Sequence, residues 1–169
     1  MSKRAEDEGP LAAGRLLPLL LTNGVPFVVI GGVAALFHGS TYMTDDVDIC
    51  IPFDEITLRQ LAKAMEGINP RHRLAANRLP LEITDKNWSM FKNIYLDTDL
   101  GTLDCLGEVA GIGKYEDALR MSQEIALPFG TIRALTLDAL ISAKDATGRD
   151  KDLSVSKELR IIKRTKESF

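Results

Sequence analysis

The chain has 169 residues, 45% hydrophobic and 27% charged, with a formal net charge of -3 at pH 7; these are ordinary values for a single soluble globular domain with a sizeable core. The slight acidity leaves no general basic field, which argues against tight non-specific nucleic-acid binding and leaves room only for a local basic patch. No apolar run is long enough to span a bilayer, and the charged start MSKRAEDEG lacks the apolar core of a signal peptide, so a cytoplasmic location with no membrane partner is expected.

In chain order, residues 1–9 are polar and expected to be disordered. Residues 10–22 are leucine-rich and predict a helix; Pro18 either clashes with its interior or marks where its stable part begins, and Asn23-Gly24 is a good stop. Val25, Phe27, Val28, Val29 and Ile30 form a nearly continuous apolar run, which predicts a strand covered on both faces. Gly31 and Gly32 end it in a sharp turn and leave a phosphate-sized opening at the first amides of a short helix over Val33, Ala34, Ala35, Leu36 and Phe37. In the loop that follows, Ser40 and Thr41 offer hydroxyls either to a phosphate or to simple turn chemistry. The next strand carries Asp46 and Asp48, two residues apart and therefore on one face, with Val47 and Ile49 turned into the core and Pro52 ending the run. Two like charges on one face of a buried strand repel unless a cation lies between them, and such hard oxygen ligands suit magnesium or manganese.

Asp54 is positioned to cap an amphipathic helix over residues 55–66, with Leu58, Leu61, Met65 and Ile68 at helical spacing. Residues 69–87 carry little periodicity; their basic cluster of Arg71, His72, Arg73 and Arg78 reads as a solvated face, or as a contact to phosphate or an acidic acceptor. Residues 94–98 and 102–106 predict a hairpin around Asp99-Leu100-Gly101, with Asp104 between Leu103 and Cys105 in an apolar strand. A lone carboxylate there is costly to bury, unless it lies at a sheet edge. Cys50 and Cys105 lack metal-finger spacing and read as small buried thiols. A helix over residues 115–123, strands over 125–127 and 131–135 around Pro128-Phe129-Gly130, and a helix capped by Thr136 and stopped by Gly148 complete the middle of the chain. On that last helix Leu137, Leu140, Ile141 and Lys144 share one stripe, so Lys144 either snorkels to water or meets an anion. Residues 154–169 form an amphipathic segment with Leu159 and Ile162 inward and a basic rim of Lys157, Arg160, Lys163, Arg164 and Lys166.

Three stretches together carry a resemblance. The glycine pair, short helix and DVDI strand, with GTLDCL later and LISAKDATGRDKD near the end, resemble the nucleotidyltransferase fold, the superfamily that includes DNA polymerase beta. More narrowly the chain is similar to small bacterial nucleotidyltransferase-like proteins grouped with abortive-infection toxins and antibiotic-modifying enzymes. The resemblance implies an α/β fold, a small mixed sheet flanked by helices, with the hairpin beside the Asp46 strand. It implies a nucleoside triphosphate as substrate and magnesium or manganese held by Asp46, Asp48 and Asp104, the last also a candidate general base. Gly31, Gly32, Ser40, Lys144 and Arg149 would contact the nucleotide, whereas Lys151 and Asp152 would hold the last helix. Where such relatives often carry an arginine, this chain has Tyr42, within GSTYMTDDVD.

The expected activity is transfer of a nucleoside monophosphate from the triphosphate to an acceptor hydroxyl of a small molecule, RNA or protein, with release of pyrophosphate. The alternative is a catalytically silent nucleotide-binding or toxin-antitoxin regulatory module of the same fold, with a toxin or antitoxin as partner; Tyr42 favours it. An Asp-x-Asp phosphohydrolase would begin with its nucleophile strand and needs no Gly31-Gly32 entry. A dinucleotide-binding reading lacks G-x-G-x-x-G.

Overall fold

The computed structural model of the protein describes residues 11–168. In chain order they form α1 (Leu11–Thr22), β1 (Val28–Ile30), α2 (Gly31–Phe37), β2 (Val47–Cys50), α3 (Glu55–Ala64), β3 (Arg71–His72), a 3-10 turn (Trp88–Met90), β4 (Asn93–Thr98), β5 (Gly101–Leu106), β6 (Glu108–Val109), β7 (Gly113–Lys114), α4 (Tyr115–Arg120), β8 (Ser122–Leu127), β9 (Gly130–Leu135), α5 (Leu137–Thr147) and α6 (Asp150–Glu167). The fold is mixed α/β. Seven strands make one sheet in the order β3-β4-β5-β2-β1-β9-β8, and β6 and β7 pair separately. β2 runs antiparallel to β1 and parallel to β5, and β1 runs parallel to β9.

The central strands are apolar because both faces are covered. Val28, Val29, Val47, Ile49, Leu103 and Cys105 are fully buried, and α1 packs across β5, β2 and β9 beside α3. α2 and α5 pack together near β1, β2 and β9, and α6 packs on α5. His38, at the end of α2, ties that helix to β9 through a 2.8 Å hydrogen bond between Nε2 and the Leu135 carbonyl. Cys50 and Cys105 are free and buried, and burial pushes the Cys50 thiol up to about 12.

Several local expectations are corrected by packing. Helix α1 continues through Pro18; Leu16, Leu17 and Leu20 are essentially fully buried on either side of it, so tertiary burial outweighs the hydrogen bond that proline removes. The expected strand over residues 25–30 is paired only at Val28–Ile30, Pro26 having no N–H to give a ladder. Gly31 and Gly32 form the first turn of α2 itself, not a turn preceding it. Asp54 caps α3 as expected, accepting from the Thr57 amide at 2.7 Å, and the helix ends at Ala64, two residues short of the expected end. The helix expected over residues 115–123 stops at Arg120, because Ser122 and Gln123 pair with Leu135 and Ala134 and lengthen the β8–β9 hairpin. Helix α6 starts at Asp150, four residues ahead of the expected amphipathic segment. The expectation for residues 1–9 lies outside the described residues.

Candidate functional site

Asp48 and Asp104 are register partners on the parallel strands β2 and β5. Strand alternation turns Val47, Ile49, Leu103 and Cys105 into the core on the other face, so both carboxylates stand side by side on one surface of the sheet. Asp46 lies just ahead of β2 and is exposed, a correction to its expected place within the strand. All three line a cleft of about 330 Å³, together with Lys144, Arg149 and Lys151. A second cleft of about 440 Å³ shares Asp48, Asp104, Lys144 and Arg149 with the first and continues over Tyr95 and Leu106. Both volumes fall in the range of small-ligand sites.

The crowding of negative charge is visible at Asp48. Burial, and after it the charge of Asp104, push its carboxyl up from 3.8 to about 6; Asp46 adds to this, while Lys144 and Arg73 oppose it. Asp104 is buried, at 8% exposure. Its two oxygens accept from the two arms of the Arg73 guanidinium, Nε at 3.0 Å and Nη2 at 2.5 Å. Among the described residues, no three His, Cys, Asp or Glu side chains converge as a finished metal cage; Asp104 faces Arg73 instead.

The glycine pair gives room to Asp48 and to the Thr44 side chain ahead of it. Gly31 has φ +65°, and a Cβ there would run into Oδ2 of Asp48, while a Cβ on Gly32 would lie 2.9 Å from the Thr44 side chain. Close passage of the β2 entrance over the first turn of α2 therefore requires both glycines. Gly32 lines the first cleft and Gly31 the second.

Lys144 meets an anion, and it is an internal one. Its Nζ lies 3.4 Å from Asp152, which also accepts from Thr147 at 2.9 Å and from Arg149 at 2.7 Å. Burial alone would raise the Asp152 carboxyl, and the bonds from Arg149 and Thr147 with the charge of Lys144 outweigh it and hold it below the usual carboxylate range. Asp152 thus locks the α5–α6 corner, where Gly148 takes φ +67° and donates its amide to the Lys144 carbonyl, and it aims Lys144 and Arg149 along the cleft wall. Ser40 lines the first cleft and accepts from the Tyr42 amide at 3.2 Å, which is local turn chemistry, whereas the Thr41 hydroxyl donates to Glu158 of α6, 117 residues away, and so ties the loop to the last helix. Tyr42 stands at the cleft mouth, 41% exposed.

Arg73 is the site residue that its sequence context hid. Of the basic cluster, Arg78 pairs with Asp97, Arg71 with Asn69, and His72 stacks on Phe91 at 5.8 Å, outside both clefts; Arg73 alone of these reaches the carboxylates. The signal that could have found it was the cost of burying Asp104, which demands a cation from somewhere in the chain. Searched against protein-family models and curated proteins, the chain matches none of them.

Proposed function

We propose that the protein is a metal-dependent nucleotidyltransferase of the nucleotidyltransferase fold. The observation that carries this reading is the pairing of Asp48 with Asp104 on adjacent parallel strands, with Asp46 on the same cleft. The donor set fits a hard divalent ion: the ligands are carboxylates, and the Asp48 carboxyl, raised first by burial and then by the charge of Asp104, is one whose ionised form a cation would stabilise. Asp46, Asp48 and Asp104 would hold magnesium or manganese. When bound, the ion supplies the charge that draws the attacking oxygen and the triphosphate together and offsets charge on the leaving group.

The chain's own residues do the remainder. Lys144, Arg149 and Lys151 on the cleft wall neutralise the triphosphate, and the turn of α2 lets substrate approach the carboxylates closely. The acceptor hydroxyl forms a bond to the α-phosphorus, the bond from that phosphorus to the bridging oxygen breaks, and pyrophosphate leaves. The hydroxyl proton passes to Asp104, the carboxylate nearest the acceptor by this reading.

A second reading, a nucleotide-binding module without turnover that acts with a toxin or antitoxin partner, draws support from two observations. Tyr42 stands at the cleft mouth, and Asp104 is occupied by Arg73. Label position separates the readings. With triphosphate labelled at the α-phosphate and an extract containing RNA, proteins and metabolites, label moves to an acceptor and pyrophosphate appears. Movement of γ-label alone indicates a kinase, and orthophosphate without labelled acceptor indicates hydrolysis. Magnesium-dependent nucleotide binding with no turnover for any of the four nucleotides supports the silent module.

A further inference from the structure

A buried carboxylate needs a counter-charge, and Asp104 has one from a residue 31 positions earlier in the chain. Arg73 follows the edge strand β3, and its own amide donates to the Tyr95 carbonyl at 3.0 Å. Tyr95 is the β4 partner of Asp104 across the antiparallel ladder. The Arg73 guanidinium lies 5.5 Å from the centre of the Tyr95 ring, so it is stacked on an aromatic face at the same time as it forks onto the carboxylate. Two other cations of the clefts behave differently: Lys144 and Arg149 are turned to Asp152.

Resting on the reading of the three aspartates as an ion site, we propose that Arg73 is a built-in occupant of the cation position at Asp104, and that it must release this carboxylate before a divalent ion is held there. Two arguments carry this. The fork takes both oxygens of the ligand, and an ion bound to the same carboxylate would stand within a few ångströms of a like charge in a partly buried site, where repulsion is strong. Release has somewhere to go, because Tyr95 holds the flat face of the guanidinium independently of the fork, and the Arg73 side chain is 27% exposed beside a buried partner. Arg73 therefore sets the affinity of the site for its ion and keeps Asp104 paired when no ion is bound.

The test uses the full chain and manganese alone, titrated by calorimetry, with Arg73→Lys and Arg73→Gln compared with the unchanged protein and with Asp48→Asn. Lysine keeps the charge and loses the fork, so both Arg73 variants should bind manganese more tightly, by about tenfold or more for the glutamine. Tightening in Arg73→Gln alone would show a distant charge effect and overturn the clamp. Unchanged affinity in both, with binding still lost in Asp48→Asn, overturns the clamp and leaves the ion site standing; no manganese binding by any form overturns the ion site and the clamp together. A second readout needs no variant to fold. The Arg73 Nε–H resonance, slow to exchange in the metal-free protein, should shift and become exchange-labile as magnesium is added. A resonance that stays put while magnesium demonstrably binds overturns the proposal.

Discussion

Asp48 and Asp104 face each other across β2 and β5, and Asp104 is one of the charges that keep a proton on Asp48 at unusually high pH. The folded chain holds that proton more tightly than the unfolded one, with the carboxyl raised from 3.8 to about 6 chiefly by burial. Stability of the metal-free protein therefore falls as pH rises through this window; the cost is absent below the lower value and complete above the upper one, at most about 3 kcal/mol. Asp48→Asn removes it. In thermal melts with chelator, that variant should melt well above the parent at pH 7.5, with the gap shrinking at pH 5 and gone below pH 4. A gap independent of pH refutes the account.

Gly31 and Gly32 should separate in their tolerance of alanine. Gly31→Ala puts a side chain into the left-handed region and against Asp48, a loss of about 1 to 2 kcal/mol from backbone strain alone, with manganese affinity falling as Asp48 is displaced. Gly32→Ala meets only the Thr44 side chain at 2.9 Å, with no positive φ, and should cost less. Denaturant melts paired with calorimetry check both, and equal losses would show that the backbone conformation at Gly31 is not the limiting feature.

Lys144 and Asp152 should have opposite phenotypes although they touch. Lys144→Ala leaves Asp152 held by Arg149 and Thr147, so stability changes little while affinity for triphosphate drops by about 1.5 to 3 kcal/mol, the worth of a charge-assisted hydrogen bond. Asp152→Ala frees three partners at a buried corner and should destabilise by roughly 3 kcal/mol. Melting temperature and nucleotide titration, measured on both, decide it; a large stability loss in Lys144→Ala would make the lysine structural.

Tyr42→Arg should strengthen binding at the first cleft. Tyr42 is exposed and lines the cleft that holds the three aspartates, so an arginine there can reach an anionic ligand without burial cost, worth on the order of 1.5 to 3 kcal/mol. Titration with tripolyphosphate measures this, and an unchanged affinity would show that the mouth of the cleft does not contact the phosphate chain.

What the sequence determined by itself is whatever depends on neighbours in the chain. The Asp54 and Thr136 caps, the Gly148 stop and the β4–β5 hairpin came from residues a few positions apart. The position of Asp104 beside Asp48 is different: the resemblance suggested it, and only the strand order β5-β2 brings the two into register. Tertiary structure alone decided three further things. It made Pro18 tolerable by burying the leucines around it, drew Ser122 and Gln123 out of a helix into the β8 ladder, and selected Arg73 from a run of basic residues. Each depends on free energy gained between segments distant in the chain, such as a ladder bond, a packed face or a paired buried charge. Composition and periodicity register the demand for such a partner, as at Asp104, and the supplier is named only when β3 and β4 fold against β5.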